Sequence, residues 1–249
     1  MKYDSHSSLS QSNYNARHVC IIGIGGVGTW VAEALARSGV GHLTLVDLDE
    51  ICVTNINRQL HSTFHTVGQS KVHAMAQRLS TLNPAPSIYP MEKFFTSMTA
   101  DIILSTKFDC VIDAIDSGKQ KVELIARCLE LDLPIIVSGG AGGRRQPAMV
   151  RVKDLSQSTH DGLLRRVKRG LRKKMPHLNQ LQRWHVPTVF SAESPVFPME
   201  DGSICLQGQS ERTARRLDCR DGFGAASFIT GTFGLRLADQ CLKTLDLLQ

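Results

Sequence analysis

The segment that most constrains this chain is Cys20-Ile-Ile-Gly-Ile-Gly-Gly-Val-Gly28, an apolar run that breaks into glycines and passes directly into a helical pattern. Such a run predicts a strand, a tight turn and a helix N-terminus. Gly23, Gly25, Gly26 and Gly28 let the backbone approach a phosphate where unpaired N–H groups and the helix dipole favour negative charge. Asp47 ends the next apolar run, His42-Leu-Thr-Leu-Val-Asp47, and Asp49 follows it. An acid about 20 residues beyond the glycines is where a ribose-binding carboxylate is expected. Next comes Asn55-Ile-Asn-Arg58-Gln59, which a simple dinucleotide fold does not require. Arg58 can fork onto phosphate oxygens, Asn55 and Gln59 can donate neutral hydrogen bonds, and Lys71 can add a point charge. A triphosphate needs that neutralisation, whereas the pyrophosphate of NAD draws mostly on backbone, so the set points to ATP.

Strand patterns at His18–Ile24, His42–Asp47, Ser87–Phe94, Phe108–Ile115 and Leu133–Ser138 alternate with helical patterns at Val27–Ser38, Gln69–Leu82 and Lys119–Leu131. This alternation predicts a doubly wound, Rossmann-like α/β fold, its mostly parallel sheet covered by helices on both faces. Residues 1–16 are polar and read as a flexible N-terminal tail; residues 17–249 read as a single domain. Its ATP-binding half is expected at 17–143, and a basic variable insert with the C-terminal half at 144–249. The later half shows a strand at Ala148–Val152, a basic helical segment, Pro- and Ser-rich loop sequence through Pro198, and a closing helix from Gly224 to Leu248.

A second acid pair, Asp113 and Asp116, ends the fourth strand pattern. Ligands of open α/β sheets bind beyond the carboxyl ends of the strands, so Asp116 is the expected Mg²⁺ ligand and Asp113 a structural cap or ion-pair partner. Twenty-nine basic residues against 23 acidic give a net charge of +6, concentrated between Arg144 and Arg183. The densest run, Leu164 to Lys174, reads either as a solvated helix face or as a polyanion-binding surface. The seven cysteines include no C-x-x-C pair, which argues against a zinc site. Their apolar surroundings suit reduced thiols, and neither a signal core nor a stretch long enough for a transmembrane span is present, so a cytoplasmic protein is expected.

The ordered set Gly23-x-Gly-Gly-x-Gly28, Asp47-x-Asp49, Asn55-x-x-Arg58-Gln59, Val67-Gly-x-x-Lys71 and Asp113-x-x-Asp116 resembles the ATP site of the ThiF/MoeB superfamily of adenylating enzymes. The resemblance assigns Asp47 to the ribose hydroxyls, Asn55, Arg58, Gln59 and Lys71 to the phosphates, and Asp116 to Mg²⁺. It also implies a homodimer. Superfamily dimers insert an arginine from the partner's N-terminal helix, but residues 1–16 here contain none.

Asp113-Ala-Ile-Asp-Ser117, Gly139-Gly-Ala-Gly-Gly143, Val189-Phe-Ser-Ala-Glu193 and Asp218-Cys-x-x-Gly-Phe-Gly-Ala-Ala226 are similar to the tRNA threonylcarbamoyladenosine dehydratase branch. That branch implies a tRNA substrate whose threonyl carboxylate is adenylated, so that the carbamoyl nitrogen closes a five-membered ring. Arg58, Lys71, Asp116 and Cys219 are then the candidate catalytic residues, Cys219 being either a reactive thiol or a small buried hydrophobe. Glu193 and His185 are candidate acid–base groups or paired loop residues, and a monovalent cation is expected beside Gly139–Gly143. Two alternatives stay open. One is an activating enzyme for a ubiquitin-like or sulfur-carrier protein, served by a sulfur-transfer or cysteine desulfurase-type partner. The other is a non-catalytic ATP- and tRNA-binding module.

Overall fold

The computed structural model describes residues 14–82, 84–198, 204–206 and 224–248. In chain order these form β1 (His18–Ile22), α1 (Gly28–Arg37), β2 (His42–Val46), α2 (Lys71–Leu79), β3 (Ser87–Met91), α3 (Ala100–Ile103), β4 (Cys110–Asp113) and α4 (Gly118–Glu130). There follow β5 (Ile135–Ser138), β6 (Val150–Asp154), α5 (Gly162–Lys174), β7 (Pro187–Ser191), a small hairpin of β8 (Val196–Pro198) and β9 (Ile204–Leu206), and α6 (Ser227–Asp246). The main sheet runs β3-β2-β1-β4-β5-β7-β6, and every neighbouring pair is parallel except β6 with β7. Among the described residues no helix is long and apolar enough to cross a membrane.

The central strands are apolar throughout because both faces of the sheet are covered. Successive residues alternate between two cores. Val19, Ile21 and Ile112 pack with Val31 and Leu35 of α1, Met75 of α2 and Phe233 of α6. Cys20, Ile22 and Val111 pack with Ile103 of α3, Leu124 of α4 and Val167 of α5. The parallel strands therefore all leave the sheet at one edge, where the loops carrying Gly23, Asp47, Asp116, Gly139 and Glu193 begin.

Two expectations are corrected, and one element is added. The stretch read as loop through Pro198 contains β7, a buried strand between β5 and β6. Pro187 is its first residue, a position where a missing N–H is tolerated, and the short run amid Pro and Ser disguised it. The four-residue helix α3 is too short to show periodicity. Finally, residues 14–16, read as the end of the tail, form a 3-10 turn, Tyr14–Ala16, and the buried Tyr14 hydroxyl donates to Asp246 at 2.6 Å. Arg17 binds Asp109 at 2.9 Å beside the amino-terminal ends of β1 and β4, on the edge opposite Asp116. Residues 1–13 and Cys219 lie outside the described residues.

Two buried interactions shape the carboxyl edge. Asp113 and Lys121, both fully buried, pair at 2.9 Å, and Asp113 also accepts a hydrogen bond from the Ile115 N–H. The pair ties the end of β4 to α4 and sets the turn that presents Asp116. Burial pushes the Asp113 carboxyl above its ordinary range, with Lys121 opposing. His61, also buried, donates from Nε2 to the Ile24 carbonyl at 3.1 Å, inside the glycine turn, and its Nδ1 faces the Ser62 hydroxyl at 3.1 Å.

Burial holds the His61 pKa down at about 4, so the neutral ring is the form that pins the turn. An unfolded histidine titrates near its ordinary value of about 6.5 and takes up its proton first as pH falls. The contribution of His61 is therefore complete above about pH 6.5 and is lost as pH drops towards 4, by up to about 3 kcal/mol. Replacing His61 by Gln, which keeps a donor and does not titrate, should flatten the acid-side fall of the urea midpoint. An acid limb equally steep in wild type and His61→Gln would overturn this assignment.

Candidate active site

The glycine turn is a packing device before it is a binding one. The Gly23 N–H donates to the Val46 carbonyl at 2.8 Å, and Gly23 adopts φ +95°, which disfavours other residues. A Cβ on Gly28 would lie 1.8 Å from the Gly23 carbonyl oxygen, so α1 can start there only without a side chain. Gly25 differs: a Cβ there would meet only the Gln59 amide, at 3.8 Å. The open backbone at Gly25 is the part of the turn that a phosphate can approach.

Asp47 and Lys71 meet beside this turn. Asp47 accepts from the Ile24 N–H at 2.7 Å and from the Asp49 N–H at 2.9 Å. Burial raises its carboxyl above the ordinary range, and Lys71 is the main opposing influence. Lys71, the first residue of α2, is buried, with Nζ 2.6 Å from Asp49 Oδ2 and 4.0 Å from Asp47 Oδ1. The predicted ribose acid, its neighbour and the predicted phosphate lysine thus form one ion-pair cluster.

Asn55, Arg58 and Gln59 are brought to the same place, all three buried. Asn55 Oδ1 accepts from the Cys52 N–H at 3.0 Å, bracing the connection after β2. Arg58 donates to the Thr54 carbonyl at 2.8 Å and to Asn57 Oδ1 at 2.9 Å. The Arg58 carbonyl accepts from Trp30 Nε1 of α1 and Thr230 Oγ1 of α6, each at 3.3 Å. Asn57 Nδ2 donates to the Ala225 carbonyl at 2.9 Å. Gln59 Oε1 is buried with no hydrogen-bond partner among the described residues, and the Nε2 of the same amide faces the open backbone at Gly25. Trp30, Asn57, His61 and Thr230 are positioning residues that sequence spacing did not single out. Trp30 and Thr230 look like ordinary helix residues until α1 and α6 are placed together.

Asp116 stands exposed beyond β4 and forms no ion pair among the described residues, whereas Asp113 takes the structural role with Lys121. Among the described residues no three His, Cys, Asp or Glu side chains converge to hold a metal unaided. One free carboxylate suits Mg²⁺, which keeps several waters and shares its remaining positions with substrate phosphates.

The loop after β5 is braced from below. The Gly140 N–H donates to Asp161 Oδ2 at 2.8 Å, while Asp161 Oδ1 caps α5 through the Leu164 N–H at 2.9 Å. The buried Arg144 donates to the carbonyls of His160 at 2.7 Å and Gly140 at 3.4 Å, and burial lowers its pKa. Glu193 Oε2 accepts from the N–H groups of Arg145 at 2.9 Å and Gln146 at 3.1 Å, the paired-loop role. His185 is exposed just before β7, at the opposite edge from Asp116, and is not part of this site.

An edge with open glycine backbone, a largely buried acid, a buried lysine and arginine and a free carboxylate can bind a nucleoside triphosphate and stabilise charge as it shifts between phosphates. Comparison with known proteins agrees with that chemistry. The model of the ThiF family matches residues 3–248. The tRNA threonylcarbamoyladenosine dehydratase of Haemophilus influenzae is 42% identical over 245 residues, 96% of this chain and 89% of that protein. Its Escherichia coli K12 namesake is 40% identical over 227 residues, 91% of this chain and 85% of that protein. The crystal structure of the E. coli enzyme, TcdA, in complex with ATP superposes with a TM-score of 0.82 at 36% identity, covering 94% of this chain and 87% of that one. This chain belongs to the ThiF family.

Proposed function

We propose that this chain is an ATP-dependent tRNA threonylcarbamoyladenosine dehydratase. The observation that carries the reading is the gathering of Gly25, Asp47, Asn55, Arg58, Gln59, Lys71 and Asp116 at one sheet edge, in a chain aligned over nine-tenths of its length with enzymes of that name. ATP is a substrate here. A carboxylate oxygen of the threonyl group attacks the α-phosphorus, and the bond to the β-phosphate breaks as pyrophosphate leaves. The carbamoyl nitrogen then attacks the activated carbonyl carbon and gives up its proton. AMP departs with the former carboxylate oxygen, so the nucleoside loses the elements of water. Cyclisation needs proximity and a good leaving group, both of which adenylation supplies.

In this reading Asp47 accepts from the ribose hydroxyls, and Gln59 Oε1 is an acceptor waiting for a ligand donor. Arg58 and Lys71 neutralise the phosphates, with Asn55 as a neutral donor. Lys71 exchanges part of its contact with Asp49 for a phosphate oxygen, so its charge is held in place before the nucleotide arrives. Asp116 holds Mg²⁺, which supplies charge neutralisation across the phosphates. The reading extends to a homodimer, in which the exposed apolar Phe228 and Leu235 of α6 are available to a second copy, to a monovalent cation beside Gly139–Gly143, and to the cytoplasm, where the buried free thiols of Cys20, Cys110, Cys128 and Cys241 stay reduced.

Nucleoside mass spectrometry of threonylcarbamoyladenosine-bearing tRNA, incubated with the protein and Mg·ATP, should show loss of one water matched by AMP release. An unchanged nucleoside from protein that binds ATP would overturn the reading. Arg58→Ala and Asp116→Ala should each slow AMP formation by about a hundredfold or more, the scale expected when a group stabilising transition-state charge is removed. Asp116 is exposed, so its variant should melt like wild type. Near-normal turnover in either variant would move the site elsewhere.

A further inference from the structure

Helix α5 has two faces. Leu164, Val167 and Leu171 are buried against the sheet and α4, while Arg165, Arg166, Arg169, Arg172, Lys173 and Lys174 face solvent. Several of its cations are already engaged. Lys168 Nζ donates to the Ser158 carbonyl at 2.6 Å, Lys174 pairs with Glu123, and the Arg172 guanidinium lies 5.3 Å from the centre of the Trp184 ring.

Arg166, Arg169 and Lys173 are different. They occupy i, i+3 and i+7 of one helical stripe and, with Lys119 of α4, line a groove of about 550 Å³ between the two helices. None of these four forms an ion pair among the described residues. The one acid among the lining residues, Glu123, is neutralised by Lys174. A Cβ on Gly170 would come 2.7 Å from Val122 Cγ2, so the glycine seats α5 closely on α4 and leaves the groove floor low. At its upper end the groove begins at Gly118, two residues beyond Asp116, where Gly118 faces Leu163. A cationic track that opens beside the reacting centre and runs down the flank of the molecule suits a substrate with evenly spaced single negative charges. The stripe from Arg166 to Lys173 spans about 10 Å of helix rise. Guanidinium forks match phosphate oxygens in geometry as well as charge.

We propose that the groove between α4 and α5 holds the sugar–phosphate backbone of the RNA substrate through Lys119, Arg166, Arg169 and Lys173, leading its reactive nucleoside to Asp116. The proposal rests on the dehydratase reading for the identity of the polyanion, and adds where it lies. It also decides between the two readings of the basic run: the stripe at Arg166, Arg169 and Lys173 binds, and the remainder of the helix is structural or solvated.

The test is filter binding of unmodified tRNA transcript between about 50 and about 200 mM KCl, a range over which phosphate contacts are lost measurably. The triple variant Arg166→Glu, Arg169→Glu, Lys173→Glu should bind at least about tenfold more weakly at the lower salt, and its log–log salt slope should be shallower by about two to three. The corresponding Gln variant should fall between it and wild type. A control carrying Lys107→Glu, Lys153→Glu and Arg183→Glu makes the same change in net charge at exposed positions on the opposite edge, and should keep the affinity within about twofold. Melting curves report that each variant is folded. Equal losses in the groove and control variants would reduce the effect to net charge and overturn the proposal. So would wild-type affinity in the groove variant, and in that case dehydration by wild type would leave the function intact. A wild-type protein with no salt-dependent RNA affinity would overturn both.

Discussion

The contact between the Gly23 carbonyl and the bare Cα of Gly28 is the constraint on which the rest of the site depends. Only with that approach can α1 begin directly above β1 and leave Gly25 open. The turn is held from three sides, by the Val46 carbonyl of β2, by Asp47 on the Ile24 N–H and by His61 on the Ile24 carbonyl. Ile24 thus has both its backbone polar groups bound by side chains that are themselves buried or nearly so. A loop over-determined in this way does not have to reorganise when an anion arrives, which is the condition for electrostatic stabilisation to be effective.

The electrostatics follow the same plan. Two of the ion-pair systems at the carboxyl edge do different work. Asp113–Lys121 is sealed, with both partners fully buried, and it fixes the turn after β4. Removing one member of such a pair strands a buried charge, typically at a cost of about 3–5 kcal/mol. Lys71 with Asp47 and Asp49 is open on one side, because Asp49 is half exposed. Water and ligand can therefore reach the second system, and its charges can be redistributed when a phosphate enters. Asp116 and the α4–α5 groove extend this gradient outward, from buried and fixed charge to exposed and unpaired charge.

Much of this was legible in the residues. The glycine spacing, the acid at 47 and the Asn-Arg-Gln cluster announced a nucleotide edge because each answers a local chemical demand, and strand alternation announced the parallel sheet. Boundaries slipped where local and tertiary signals parted. Pro187 and its short neighbours read as loop, since only the slot between β5 and β6 makes them a strand. Asp113 and Asp116 could be ranked but not separated from sequence, because the deciding fact is Lys121, eight residues on, reaching back into the core. Trp30, Thr230 and His61 gave no sequence signal, since each acts on the backbone of a distant residue, and backbone targets leave no mark in a side-chain pattern.

The central claim is that a carboxylate attacks the α-phosphate of ATP, and isotope transfer addresses it most directly. With heavy oxygen placed in the threonyl carboxylate of the modified tRNA, the chemistry described here predicts one labelled oxygen in the AMP released and none in pyrophosphate. Unlabelled AMP, or label recovered in a phosphate derived from the β- or γ-position, would contradict it.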